Sequence, residues 1–307
     1  MQTMRVSVCI ATYRRPERLG SLLDDLARQK VLPDQVVVVD NDATGSAREV
    51  VQRYLELGAP FPVDYEIQPQ RNIALTRNRT VAQSVCEWLA FIDDDERAPE
   101  DWLSQLLTAV TQYQADGVLG PVVPSIPPDA PAWIRHGRFY DFPRMTTGGE
   151  VPLNRMRFGN VLLRAEPVRA QPGPFDLNYG LTTGEDADLL IRLVRAKARI
   201  IWCDEAIVHE PVEPARLSLR WLLQRALSGG QEFARKTLKG AYGRVDALIC
   251  IRLFLRAFLQ AAIAGCLALL FWPFSRYRCA SWLIKLWANI GKLSVFFGWR
   301  YHEYARV

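Results

Sequence analysis

Trp88-Leu89-Ala90-Phe91-Ile92-Asp93-Asp94-Asp95-Glu96 decides how the rest of the chain is read. The apolar run Trp88 to Ile92 ends abruptly in four consecutive acidic side chains. A strand that finishes this way puts carboxylates at the carboxyl end of a sheet, where open α/β folds bind ligands. Adjacent negative charges repel one another unless a cation sits among them. The same residues would also serve as a solvated turn before a helix opening at Pro99-Glu100-Asp101. The flanking sequence weighs a metal and nucleotide-diphosphate site against that turn.

Upstream, Arg5 to Ala11 reads as a buried strand, followed by the loop Thr12-Tyr13-Arg14-Arg15-Pro16. A helix starts at Pro16-Glu17, with Leu19, Leu22, Leu23 and Leu26 at helical spacing. Gln35 to Val39 is a second buried strand, ending in Asp40-Asn41-Asp42. An amphipathic helix is expected over Ser46 to Leu57, a short strand near Val63 to Gln68 and a helix over Thr76 to Trp88. The alternation predicts an α/β fold with a parallel, doubly wound sheet. Thr12, Tyr13, Asp40 and Asp93 to Asp95 then fall at the carboxyl ends of three successive strands, gathered on one edge by right-handed crossovers. Neither a Walker sequence nor a G-x-G-x-x-G fingerprint is present, which argues against kinases and Rossmann dehydrogenases. Phosphate charge would be met by a metal and by Arg14 or Arg77.

Downstream, a helix is expected over Pro99 to Tyr113 and a strand over Gly117 to Pro121. Residues 121–152, with Trp133, Phe139, Tyr140 and Phe142, read as a long loop suited to acceptor contact or to surface cover. Phe158 to Arg164 reads as a strand that starts at a polar, ligand-facing corner. After Gly180-Leu181-Thr182-Thr183-Gly184 comes a helix with Leu189, Leu190, Leu193 and Val194 on one face and Thr183 or Gly184 as cap. Glu185 and Asp186 in its first turn suit a positive helix end, and a carboxylate held there would also deprotonate a hydroxyl. Arg199 to Trp202 is a last short strand, leading to Ile207-Val208-His209-Glu210.

The order of these motifs resembles glycosyltransferase family 2, the inverting transferases of the GT-A fold. The matching pieces are Val8 to Arg15, Val38-Val39-Asp40-Asn41, Asn72 to Asn78, Phe91 to Asp95 and Gly184-Glu185-Asp186, and the likeness covers residues 4–235. The resemblance implies nucleotide-sugar binding by Thr12, Tyr13, Arg14, Asp40, Asn72, Arg77, Asp93, Asp94 and Asn160. It implies Asp186 as catalytic base and Glu185 as an acceptor or sugar contact. It further implies Mg²⁺ or Mn²⁺ on Asp95, within an Asp-x-Asp whose register is open by one residue, and on His209, which would otherwise be a structural histidine. The donor it points to is a nucleotide-diphosphate sugar, with UDP favoured. The acceptor would be a lipid-linked oligosaccharide or lipopolysaccharide. Two alternatives are a nucleotidyltransferase on a similar sheet, which would need a basic glycine-rich loop after strand one, and a non-catalytic sugar- or lipid-binding scaffold.

Charge is unevenly spread along the 307 residues. Arg216 to Val307 carries 15 basic and 3 acidic residues, while the first 215 carry 23 and 30. The expected division is a catalytic domain over 1–215, with a nucleotide-sugar half at 1–120, and a helical membrane-association region over 216–307. The tail is too apolar for a nucleic-acid stripe. It suits an anionic membrane surface on the cytoplasmic side of a bacterial inner membrane. Six scattered cysteines with no Cys-x-x-Cys fit a reducing compartment, and no secretory signal opens the chain. Arg216 to Lys239 is basic and amphipathic, and Arg216, Arg220 or Arg225 would meet lipid or diphosphate. Ala257 to Ser275 is uncharged over 19 residues, just reaching a span, and Trp282 to Trp299 reads as interfacial. A re-entrant or in-plane hairpin is favoured over a crossing, and a homodimer interface would bury the same surface.

Overall fold

The computed structural model describes residues 4–179 and 184–299. Its first half alternates β1 (Val6–Thr12), α1 (Pro16–Ala27), β2 (Gln35–Asp40), α2 (Arg48–Glu56), β3 (Val63–Ile67), α3 (Ile73–Gln83), β4 (Trp88–Ile92) and α4 (Trp102–Tyr113). Shorter pieces follow: β5 (Gly117–Leu119), β6 (Val122–Ser125), α5 (Ala132–Gly137), β7 (Asn160–Arg164) and α6 (Ala165–Arg169). Then come α7 (Glu185–Arg195), β8 (Ile200–Trp202) and β9 (Val208–Pro211). Three long helices close the described chain: α8 (Leu219–Leu238), α9 (Ala247–Phe271) and α10 (Arg276–Phe296).

Seven strands form one sheet in the order β3-β2-β1-β4-β7-β5-β8, and β6 pairs with β9 in a second. The central strands are β-branched and apolar on both sides because helices cover both faces, so Val8, Ile10, Val36, Val38 and Leu89 are wholly buried. β1 pairs in parallel with β2 and with β4, whereas β7 runs antiparallel to both β4 and β5. The sheet is therefore doubly wound and mostly parallel, as expected, with one reversed strand.

Two expected boundaries move. The helix placed over Thr76 to Trp88 begins at Ile73, where the Asn72 side chain caps it by accepting the Leu75 N–H at 3.1 Å, and ends at Gln83. Trp88 is instead the first residue of β4, in register with Val6 and Arg164. The loop expected over 121–152 also contains β6 and α5.

The chain divides into two compact units. One holds the sheet and comprises residues up to Val123 together with Phe142–Pro211. The other joins Pro124–Asp141 to the chain from Val212 onward. In that second unit α10 packs along α8 and α9. Gly230 and Gly291 let the α8 and α10 backbones meet, since a Cβ on either would collide with the Ala288 or Leu227 carbonyl. The aromatic segment belongs to this helical unit: Tyr140 stacks on Trp221 and donates to the Arg216 carbonyl at 2.7 Å, and Arg276 lies over Trp133.

Candidate active site

The parallel register sets Thr12 beside Asp40 and brings the end of β4 alongside β1. Thr12 Oγ1 consequently donates to Asp94 Oδ2 at 2.7 Å. Arg15, at the entry to α1, bridges Asp94 at 3.1 Å and Asp95 at 2.8 Å, and Arg18 one turn later reaches Asp95 at 3.5 Å. The acidic run is thus held by cations of the first helix. Even so, burial pushes the Asp94 carboxyl up to about 6, against the opposing pull of Arg15. Glu96 is pushed well above the usual carboxylate range by burial and by the charges of Asp93, Asp95 and Glu210. Its carboxylate accepts the Asp93 N–H at 3.0 Å and so fixes the turn from inside. Gly159, at φ 105°, lies against that carboxylate, where a Cβ would come within 2.6 Å of Oε1.

Asp93 is the member of the run that opens to solvent, with 46% of its side chain exposed. Desolvation of its inner part, helped by the charges of Asp95 and Asp186, raises its carboxyl despite the Arg77 charge. Arg77 is the hinge between two elements of the site. Its Nη2 bonds Asp93 at 3.1 Å and its Nη1 bonds Glu185 at 2.6 Å, while its guanidinium lies over the Phe158 and Phe175 rings. Glu185 is buried at the start of α7, and Asp186 follows it half-exposed. Asp186 accepts the Phe158 N–H at 3.1 Å and the Ala187 N–H at 2.7 Å, which orients the carboxylate without neutralising it. Thr183, the expected cap, lies outside the described residues, and Gly184 occupies the cap position.

The other expected residues lie at neighbouring strand ends and helix starts. Tyr13 is half-buried between the Arg14 and Arg71 guanidinium groups, 5.1 and 5.0 Å from its ring. Arg14, at φ 53°, bonds Asp42 at 3.0 Å. Burial would raise the Asp42 carboxyl, but bonds from Arg14 and Thr44 leave it below the ordinary range. Asp40 is fully buried, and its carboxylate accepts the Asp42 and Ala47 N–H groups and the Tyr65 hydroxyl at 2.8–3.0 Å. It holds the turn after β2, where a base contact was expected. Asn72 caps α3 and donates its N–H to Asn41 Oδ1 at 3.0 Å.

Asn160, expected in the sugar pocket, forms an internal tie here. It is buried, donates to the Pro121 and Ala206 carbonyls at 3.0 and 2.6 Å and accepts from the Trp102 indole at 2.8 Å. His209 exchanges backbone hydrogen bonds with Arg97 at 2.8 and 2.9 Å, which keeps it beside the segment that follows Asp95. Among the described residues, no three His, Cys, Asp or Glu converge as a metal cage.

Sequence reasoning gave no role to Arg157. Burial pulls its guanidinium below the usual value, Glu96, Glu210 and Asp186 surround it, and it lies 3.9 Å over the Phe142 ring. No motif contains it. Arg15 falls within the Val8 to Arg15 piece, yet neither it nor Arg18 was given a role from the sequence.

Residues 7–168 match the model of Glycosyl transferase family 2. The chain belongs to that family. It is 37% identical over 249 residues to the succinoglycan biosynthesis protein ExoM of Rhizobium meliloti, covering 79% of this chain and 78% of ExoM. It is 29% identical over 221 residues to the galactofuranosyltransferase GlfT1 of Mycobacterium tuberculosis, covering 67% and 70%. Among solved structures, the mannosyltransferase PcManGT of Pyrobaculum calidifontis, in complex with GDP-Man and Mn²⁺, superposes with a TM-score of 0.64 at 19% identity, covering 95% of this chain and 88% of PcManGT. Staphylococcus aureus TarS 1-349 in complex with UDP superposes with a TM-score of 0.55 at 17% identity, covering 97% and 93%. These likenesses show the GT-A type of fold, and the family makes the chain a glycosyltransferase.

Proposed function

We infer that this glycosyltransferase moves a sugar from a nucleoside-diphosphate sugar, UDP favoured, to a hydroxyl of a lipid-linked or lipopolysaccharide-type acceptor, inverting the anomeric centre in one displacement. One observation carries the reading. Asp186, held by two N–H donors, lies close enough to Asp93 for its charge to act on that carboxyl, and the Thr12–Asp94 pair adjoins Asp93 in the same acidic run. The proposed base and the proposed nucleotide-facing acid therefore lie near one another. Asp186 would take the proton of the acceptor hydroxyl as it attacks, a step worth about 10²–10⁴-fold in rate. Glu185 and Arg77 would keep Asp186 in place, and Tyr13, just beyond β1, would contact the base.

Hard carboxylate oxygens on Asp93, Asp94 and Asp95 suit Mg²⁺ or Mn²⁺, and their repulsion is at present relieved by arginines. Asp95, with His209 nearby, is the proposed holder. When bound, the ion would neutralise charge growing on the departing diphosphate. PcManGT, in complex with GDP-Man and Mn²⁺, supports a nucleotide sugar and a divalent ion here. ExoM, by its name a succinoglycan biosynthesis protein, supports a part in building a bacterial glycan. The apolar α9 supports association with a membrane, and the cytoplasmic face of a bacterial inner membrane is the proposed place of work.

Asp186→Asn is expected to abolish transfer while UDP still binds, measured by product formation and by calorimetry. Near-normal turnover in that variant would end the assignment.

A further inference from the structure

The 25-residue α9 is long and apolar enough to cross a bilayer. Its packing says otherwise. The edge bearing Ala257, Ala264 and Ala268 is buried, while Ile251, Leu255, Leu259, Ile263, Leu270 and Trp272 on the other side are 48–73% exposed. α10 lies along both α8 and α9 and is the middle layer of the three. α8 carries Arg220, Arg225, Arg235 and the Lys236–Glu232 ion pair, and α10 carries Lys285, Asn289 and Lys292. Were α9 to stand across the bilayer, it would draw these polar layers into hydrocarbon, where charged side chains are costly. The charge-free part of the helix, Ala257 to Phe271, spans only about 22 Å at 1.5 Å per residue, short of a core of about 30 Å.

What covers the outward face is decided by charge. Between Ala247 and Trp299 there is no acidic residue, and Arg252, Arg256, Arg276 and Arg278 border the apolar stripe. A second copy of this chain would set like charges against each other, whereas anionic headgroups would meet them favourably. Arg252 and Arg256, both exposed on the first turns of α9, would reach headgroups by their long stems while the leucines enter the acyl boundary.

We propose that α9 docks in the plane of an anionic lipid bilayer through its Ile251–Leu255–Leu259–Ile263–Leu270 face, with α10 and α8 stacked above it and no crossing. This rests on the membrane association inferred above and specifies its geometry.

The test uses the full chain and vesicles of phosphatidylcholine with or without phosphatidylglycerol. An environment-sensitive thiol dye is placed at Leu255→Cys or at Leu270→Cys, with Cys250 and the exposed Cys266 changed to serine. Depth is read by quenching from nitroxide-labelled lipids. In-plane docking gives the same shallow depth at both positions and binding that needs phosphatidylglycerol and weakens with salt. A crossing helix gives depths differing by up to about 22 Å over the same 15 residues, which overturns the geometry while leaving membrane association standing. Leu259→Glu with Ile263→Glu is expected to lower vesicle binding about tenfold or more and to leave nucleotide-sugar hydrolysis unchanged. A wild-type protein that ignores both vesicles, and forms a dimer which these two substitutions dissociate, overturns docking and membrane association alike.

Discussion

Arg77→Met tests whether the site is held together as described. The substitution keeps an apolar side chain against Phe158 and Phe175 but removes both ion pairs. Glu185, 4% exposed, is then a carboxylate without its guanidinium in a dry place. Breaking a buried pair from one side costs about 3–5 kcal/mol. The arm to Asp93 adds about 1 kcal/mol at most, because half of that carboxylate meets water. Protonation of Glu185 relieves part of the total, so a loss of about 3 kcal/mol is expected, or a melting point lower by about 5 °C for a chain of this size.

Urea unfolding followed by tryptophan fluorescence gives the size of the loss. A cycle with Glu185→Gln isolates the pair, and its coupling should be about 2–3 kcal/mol. The double variant should recover stability but not turnover, since Asp186 sits next to Glu185. UDP affinity should change little in Arg77→Met, because Arg77 is committed to two carboxylates. An unfolding midpoint equal to wild type, together with weakened UDP binding, would refute this reasoning and make Arg77 a ligand contact.

Gly159→Ala should destabilise the fold by about 1–3 kcal/mol, since φ 105° and the 2.6 Å approach to Glu96 Oε1 both penalise a Cβ; a thermal melt with no shift would contradict this. For pH, a carboxyl raised from 3.8 to about 6 on folding gives stability that is full below pH 3.8 and lost as pH rises through 6. Asp94→Asn should therefore unfold later than wild type at pH 7.5, by up to about 3 kcal/mol, and show no such gain near pH 4.

The strand–helix alternation was readable because period and punctuation are local. Val36 to Val39 is a buried strand wherever it occurs, and Pro16 opens a helix on its own account. The start of α3 was misread by three residues because Asn72, taken only for a ligand contact, is the cap. Assignment of residues 124–141 to the helical unit was illegible. It depends on Tyr140 meeting Trp221 and Trp133 meeting Arg276, contacts across long stretches of sequence that no periodicity encodes.

Within the site, sequence located the carboxylates but not their directions. Asp40, Asp93, Asp94 and Asp186 all follow or precede regular elements at similar positions, yet Asp40 is consumed by two backbone N–H groups and the Tyr65 hydroxyl. Asp186 also accepts two N–H groups, but it does so half-exposed and retains its approach to solvent. What separates them is the reversed strand. Because β7 runs antiparallel to β4, its first residue, Asn160, pairs with Ile92 at the end of β4, and Phe158 and Gly159 arrive beside the acidic run. The Phe158 N–H then holds Asp186, while the neighbouring Asn160 amide turns the other way to bind Pro121 and Ala206. A parallel β7 would have carried these residues to the far end of the sheet. One strand direction therefore decides that Asp186 is held beside the segment that follows β4, as its proposed role as base requires.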